Sequence, residues 1–312
     1  MPAGGAIAWV ALAAIPVALS VDCLFGEPPV QVHPVVMMGR YLSLAGEWLL
    51  TLRPVKAFPA GALAWLLGAG LVASLAWLAQ RWVLQLPLVS AALLLGLLLK
   101  PMLAWRVLFD EVMAVETALA QSLEAGRSQV ARLVSRDVAP LDAVQVREAA
   151  ISTLAENLND SVVAPLLWFA LFGLPGAALY RFANTADAMW GYRDRWEWAG
   201  KWAARADDVL SWLPARLTAA LLFAVTWRKP QWTAFKADAR CTPSPNGGWP
   251  MGAMAQLLGV ALSKRGVYAL NASGMAAEPD DTKRALAWAG RGVWAGAMAC
   301  GGIAWVRGWL CP

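Results

Sequence analysis

Three short stretches of this sequence combine carboxylates, amides and arginines at spacings that suit a metal ion or an anion. In the first, Ala155-Glu156-Asn157-Leu158-Asn159-Asp160, the side chains of Thr153, Glu156, Asn157 and Asp160 fall on one face of a helix. Two carboxylates one turn apart with an amide between them offer the oxygen ligands that a hard cation such as Mg²⁺ takes. The same residues serve equally to cap and solvate a helix end. The second, Asn184-Thr185-Ala186-Asp187 through Gly191-Tyr192-Arg193 and Arg195, repeats the spacing. Gly191 admits a close backbone approach, and the forks of Arg193 and Arg195 match phosphate or carboxylate. A solvated loop with i,i+3 pairing is the plainer account. In the third, Asp207-Asp208 precede an apolar run, as an N-cap does, while Asp208, Trp212 and Arg216 share a helical face. A cap does not explain Arg216, which lies inside the run, where a charge is expensive.

A fourth segment, Pro243-Ser244-Pro245-Asn246-Gly247-Gly248-Trp249-Pro250, reads as a surface turn or as a backbone nest for an anion. His33 is the single histidine, so a histidine-based metal cluster is excluded and any Ser-His-Asp triad would have to use it. No G-x-x-x-x-G-K-[ST] occurs, and no G-x-G-x-x-G follows a strand, so neither common nucleotide fold is expected.

The elements that must position these groups are apolar. Of 312 residues, 59% are hydrophobic and 15% charged, against about half and about a quarter in soluble domains. Mean hydropathy is +0.50. The reading is an all-α, polytopic membrane bundle forming one domain over 1–312, with amphipathic cytoplasmic helices and room for a re-entrant segment. Spanning candidates are 6–21, 58–79, 84–105, 161–182, 209–227 and 285–305. Residues 106–160 and 228–284 read as extramembrane, the first helical with breaks at Gly126 and near Arg136 to Pro140 and a new helix from Val130, the second polar with a run of turns at 241–250. Tryptophans such as Trp82, Trp105, Trp227 and Trp309 sit near the ends of apolar runs, at headgroup level. The net charge of +5 fits cytoplasmic loops facing anionic lipid. Without a dense Lys/Arg run, nucleic acid is not an expected partner. Cys23, Cys241, Cys300 and Cys311 lack metal-ligand spacing and read as small hydrophobes. Met1 to Ala8 lacks a basic region, so a cleaved signal peptide is not expected.

Taken in order, Asp22…Gly26-Glu27-Pro28…His33-Pro34-Val35…Met38-Gly39, Glu156-Asn157-Leu158-Asn159-Asp160-Ser161-Val162-Val163-Ala164-Pro165, Gly173-Leu174-Pro175-Gly176, Asn184-Thr185…Asp187…Met189…Gly191-Tyr192, Ala204-Arg205…Asp207-Asp208…Trp212…Pro214-Ala215-Arg216 and Ser244-Pro245-Asn246-Gly247-Gly248-Trp249-Pro250 resemble the CobD/CbiB family across nearly the whole chain. The resemblance implies a multi-pass membrane ligase of cobalamin biosynthesis, in the cell inner membrane with its active site on the cytoplasmic side. It joins a carboxylate of adenosylcobyric acid to 1-aminopropan-2-ol or its O-phosphate, using ATP and Mg²⁺. A homo-oligomer is compatible with it. On this reading Glu156, Asp160, Asp187 and Asp208 are the catalytic candidates, and Glu156, Asp160, Asp187 and Asp207 the metal candidates. Arg193, Arg195, Arg216 and Arg240 face phosphate. Asn157, Asn184, Ser244, Asn246 and His33 complete the substrate-binding set.

Two rivals come from other classes. A transporter would show two related halves, and none is seen. A non-catalytic corrinoid sensor or assembly protein would lack carboxylates that are all present here. One site can use both Glu156 and Asp187 only if 161–182 returns to the side it left. Single cysteines near 157 and 190 are therefore expected to label from the same face of the membrane. Labelling from opposite faces would mean that the segment spans.

Overall fold

Where no water reaches the chain, every backbone N–H and C=O must find its partner within the fold, which makes continuous helix the default for apolar runs. The computed structural model describes residues 3–192 and 195–310 and is helical apart from one small hairpin. In chain order the helices are α1 (Ala3–Phe25), α2 (Pro34–Leu49), α3 (Pro54–Val83), α4 (Leu88–Leu99), α5 (Trp105–Gln121), α6 (Leu123–Val130), α7 (Ala143–Leu158), α8 (Ala164–Phe172), α9 (Leu174–Trp190), α10 (Lys201–Thr226), α11 (Trp232–Ala239), α12 (Gly248–Leu258) and α13 (Pro279–Leu310). Strands β1 (Leu262–Lys264) and β2 (Tyr268–Leu270) pair antiparallel. Among the described residues, four helical runs are long and apolar enough to cross a membrane: Gly4–Phe25, Pro54–Val83, Leu88–Gln121 and Lys201–Thr226. The third contains a 3₁₀ turn at Lys100–Met102. The protein is a polytopic helical membrane protein.

Neither 161–182 nor 285–305 is among those four runs. The first is divided at Gly173. The second lies in α13, where Arg291 and several glycines and tryptophans dilute the apolar stretch.

The chain packs as two units. The first comprises the described residues of 1–104, 164–211 and 297–312. In it α1 packs on α4, and α9 packs on α2, α3 and α8. The α8–α9 connection is a single residue. Gly173 adopts φ +73°, which a side chain rarely tolerates. Its N–H bonds Phe169 O at 2.7 Å, and the N–H of Leu174 donates to Gln80 Oε1 of α3 at 2.7 Å. The apolar stretch ahead of this turn, Ser161 to Phe172, makes roughly 18 Å of helix. A span needs about 30 Å, so this stretch alone is shorter than one.

The second unit comprises 105–163 and 212–296. Here α7 packs on α5, α6, α12 and β1. Asp142 caps α7 in a capping box with Gln145. A π-helical turn at Asn159–Val163 follows α7 directly. Three local expectations are corrected here. The break after α5 is at Ser122, which caps α6 by accepting from the Ala125 N–H, so Gly126 lies within a helix. Residues 131–134 form a turn after α6 and begin no helix. Asp207 and Asp208 are not an N-cap, because α10 starts six residues earlier at Lys201.

Gly173→Ala places a β-carbon in the left-handed region and against the Gln80 carboxamide. It is expected to destabilise the detergent-solubilised protein by about 1–2 kcal/mol or more, read as a lower Tm. An unchanged Tm would mean that the turn is not held as described.

Candidate functional site

In the first unit the polar residues form a connected chain on α9 and α10. Tyr180 OH meets Ser211 Oγ at 3.0 Å, and Ser211 Oγ approaches Asp207 Oδ2 at 3.5 Å. Asn184 Nδ2 donates toward Asp207 Oδ1 at 3.4 Å and Arg181 Nη1 toward Asn184 Oδ1 at 3.4 Å. The spacing that put Asn184 and Asp187 on one helix face is confirmed, because both lie on α9. At Gly191 any β-carbon would overlap the Asp187 carboxylate, so glycine is what lets the chain leave α9 there. Arg193 lies outside the described residues. Arg195 is exposed, its guanidinium 5.8 Å from the Trp196 ring centre.

His33 belongs to a different cluster of that unit. Its Nδ1 accepts from the Val35 N–H at 3.2 Å, which caps α2, and its Nε2 meets Glu27 Oε2 at 2.8 Å. Lys100 Nζ holds the same Glu27 oxygen at 3.0 Å and Asp22 Oδ1 at 3.2 Å. Asp22 and Lys100 are buried. Both ring nitrogens of His33 are thus engaged in ordering the α1–α2 loop.

In the second unit, Glu156 is exposed at the end of α7, while Asn157 donates through Nδ2 to Thr153 O at 3.1 Å. Asp160 falls on the π turn, beyond the regular α-helical repeat that would put it beneath Glu156. Such turns recur at functional sites. Its Oδ1 receives Asn159 Nδ2 at 2.7 Å, and buried Thr218 donates to Asn159 Oδ1 at 3.1 Å. The 243–250 segment comes to Glu156. A β-carbon on Gly247 would stand 3.1 Å from Glu156 Oε1. Ser244 Oγ accepts from the Asn246 N–H at 3.2 Å, and buried Asn246 accepts from Arg216 Nη1 at 3.1 Å. The Arg216 guanidinium lies between two indoles, 4.2 Å from the Trp212 ring centre and 4.6 Å from that of Trp249. Its Nη1 also bonds Trp212 O at 2.6 Å. Arg240 is exposed at the C-cap of α11.

Sequence reasoning missed a pocket of about 150 Å³ beside Glu156, lined by Arg136, Ser152, Thr153, Asn157, Lys264 and Tyr268 among others. Burial and the neighbouring Glu156 carboxylate push the Tyr268 phenol up, so it stays a hydroxyl donor. The signal for half of this pocket was in the sequence: Glu148, Ser152 and Glu156 form an i, i+4, i+8 stripe. The hairpin half had only Arg265-Gly266 as a turn cue. Among the described residues no three His, Cys, Asp or Glu side chains are gathered to hold a metal ion. Glu156 and Asp160 belong to the second unit, Asp187 and Asp207 to the first.

Comparison with known proteins adds the following. The family model described as CobD/Cbib protein matches residues 15–289. A "Probable cobalamin biosynthesis protein CobD" of Pyrococcus furiosus is 39% identical, covering 87% of this chain and 91% of the relative. One from Thermococcus kodakarensis with the same name is 41% identical over 86% of this chain and 87% of the relative. A "Cobalamin biosynthesis protein CobD" of Brucella anthropi is 38% identical over 86% and 89%. No solved structure matches.

The Arg216 sandwich anchors the 244–249 segment through Asn246 and Trp249. Arg216→Lys keeps the charge and loses the planar fork. Backbone amides of 244–249 are then expected to exchange hydrogen at least about tenfold faster, the equivalent of one lost charge-assisted bond. Unchanged exchange would show that Arg216 does not hold this segment.

Proposed function

The chain belongs to the CobD/CbiB family, and from that premise we propose that it is a membrane ligase of cobalamin biosynthesis. It forms an amide between a carboxylate of adenosylcobyric acid and 1-aminopropan-2-ol or its O-phosphate, at the expense of ATP. The observation that carries the reading is the family match from 15 to 289, which spans every polar cluster described above.

A carboxylate and an amine do not condense unaided, because the leaving group would be oxide. Transfer of the ATP γ-phosphoryl group to the carboxylate gives an acyl phosphate and ADP. The amine nitrogen then attacks the acyl carbon, the C–O bond to phosphate breaks, and the nitrogen loses a proton. The donor set fits Mg²⁺ in the form that ion prefers, held by one or two carboxylates together with substrate phosphates and water. Within the first unit the oxygen ligands available are Asp187 and Asp207, the latter bonded by Asn184, and within the second they are Glu156 and Asp160. When bound, Mg²⁺ neutralises charge on the transferred phosphoryl group. Arg216 offers a fixed guanidinium for the same charge, with exposed Arg195 and Arg240 as further phosphate partners. Asn157, Ser244 and Asn246 orient substrate beside Glu156, which receives the amine proton, while Asp208 completes the carboxylate set on α10.

Protein purified in detergent with ATP, Mg²⁺, adenosylcobyric acid and either amine is expected to yield a corrinoid whose mass has risen by the amine less water. Glu156→Gln and Asp187→Asn are expected to lower the rate at least about a hundredfold while the protein still folds. No mass gain with either amine would overturn the ligase reading. Passage of an unaltered corrinoid into vesicles would point to transport instead.

A further inference from the structure

We propose that the pocket between α7 and the β1–β2 hairpin is a subsite for a small zwitterion with phosphate at one end and ammonium at the other, the phosphate meeting Arg136 and Lys264 and the ammonium facing Glu156. This deepens the ligase reading, on which the ligand's identity as an amino alcohol phosphate rests.

The pocket is built. Glu148, the first residue of the α7 stripe, accepts both the Ser263 N–H at 3.0 Å and the Ser263 hydroxyl at 2.6 Å, which fixes β1 against the helix. Lys264 and Tyr268 are directly opposed in the hairpin register, so their side chains leave the same face. Ser152 and Glu156 follow Glu148 on α7 at one-turn intervals, opposite that face. Arg136 closes the side, with Nη1 3.4 Å from Ser263 O. One of the lining donors is unsatisfied: Arg136 Nε is buried with no hydrogen-bond partner among the described residues, while the Ser152 hydroxyl is shared with Tyr268. A buried donor left in that state costs about 1–3 kcal/mol, which a ligand's oxygens would recover.

Size and charge select the ligand. The volume of about 150 Å³ is that of a small site. It is too small to enclose a whole nucleotide or corrinoid and admits a short-chain phosphate monoester. The lining carries two cations and one carboxylate. A phosphate monoester has a charge of about −1.5 to −2 at neutral pH, which the two cations balance. The carboxylate balances one ammonium. A free amino alcohol would bring only a cation to a wall that already carries two.

The test is titration calorimetry on the full-length protein in detergent, without ATP or corrinoid, using 1-aminopropan-2-ol O-phosphate, 1-aminopropan-2-ol, inorganic phosphate and ATP as separate probes. The amine phosphate is expected to bind. Arg136→Gln and Lys264→Gln are each expected to weaken it roughly ten- to a hundredfold, with Arg136→Lys and Lys264→Arg recovering most of the loss. The unphosphorylated amine should bind more weakly and ignore both Gln variants. Where Arg136→Gln fails to fold, Lys264→Gln and Tyr268→Phe carry the same comparison. Unchanged affinity for the amine phosphate in the folded variants would overturn the proposal. So would a loss that falls on ATP instead, since the pocket would then hold a nucleotide's phosphate. The two readings fail separately. Arg136-dependent binding without amide formation sinks the ligase and leaves the subsite. Normal amide formation with an unaltered KM for the amine phosphate in both Gln variants does the reverse.

Discussion

The turn at Gly173 depends on the hydrogen bond from Leu174 N–H to Gln80 Oε1. In an apolar solvent an unpaired backbone donor costs several kcal/mol, so a helix can stop there only if the protein supplies a replacement partner. Gln80 supplies it from α3, the helix on which α9 also packs. Because that partner exists, the apolar stretch after the π turn can be short and the chain can return as α9. Asn184 and Asp187 then lie on α9, a helix packed on α2, α3 and α8.

The same logic sorts the charged residues. Buried charges are tolerated when paired and further hydrogen-bonded. Asp22 and Glu27 converge on Lys100, and His33 meets the same Glu27, while Glu116 takes a bidentate contact from Arg147 and a third bond from Thr282. Those groups are accounted for by fold alone, since they tie one element to another. Glu148 is accounted for in the same way by Ser263. Burial raises its pKa while the Ser263 bonds oppose that shift. Glu156, two turns further along the same stripe, is exposed beside a pocket and a glycine-bearing loop.

What was legible in the sequence follows from how local each signal is. Long apolar runs show α1, α3 and α10 directly, and Asp142 with Gln145 marks the start of α7 unaided. Gly173-Leu174-Pro175-Gly176 announces a break, though not that Gln80, far away in sequence, would complete it. Gly126 misled because glycine inside a short helix looks like a stop, whereas the operative signal was the serine cap at Ser122. The Asp207-Asp208 pair misled for the opposite reason. Lys201 to Ala206 is too polar to look like part of an apolar helix, although tertiary packing extends α10 through it. The hairpin was invisible because three-residue strands carry no periodicity. With it went Lys264 and Tyr268, whose meeting with Ser152 and Glu156 is a fact of folding, not of spacing.

Arg216 shows how the sequence signal and the structure come to agree. A guanidinium inside an apolar helix must be compensated, and here Trp212 and Trp249 cover its two faces while Nη1 is committed to Asn246 and to the Trp212 carbonyl. Arginine has five N–H donors in a rigid fork, and these two bonds use the Nη1 pair. The edge formed by Nε and Nη2 is the one that matches two oxygens of a phosphate or carboxylate. Stacking between rings removes most of the rotamer freedom that a flexible arginine would lose on meeting an anion. Exposed Arg195 and Arg240 still bear that cost of about 1.5–2 kcal/mol each. In the proposed reaction negative charge passes from nucleotide to acyl group to free phosphate, and a cation that need not move serves each stage equally. Bonding it to Asn246, on the segment that also brings Gly247 to Glu156, ties the position of the charge to the position of the carboxylate.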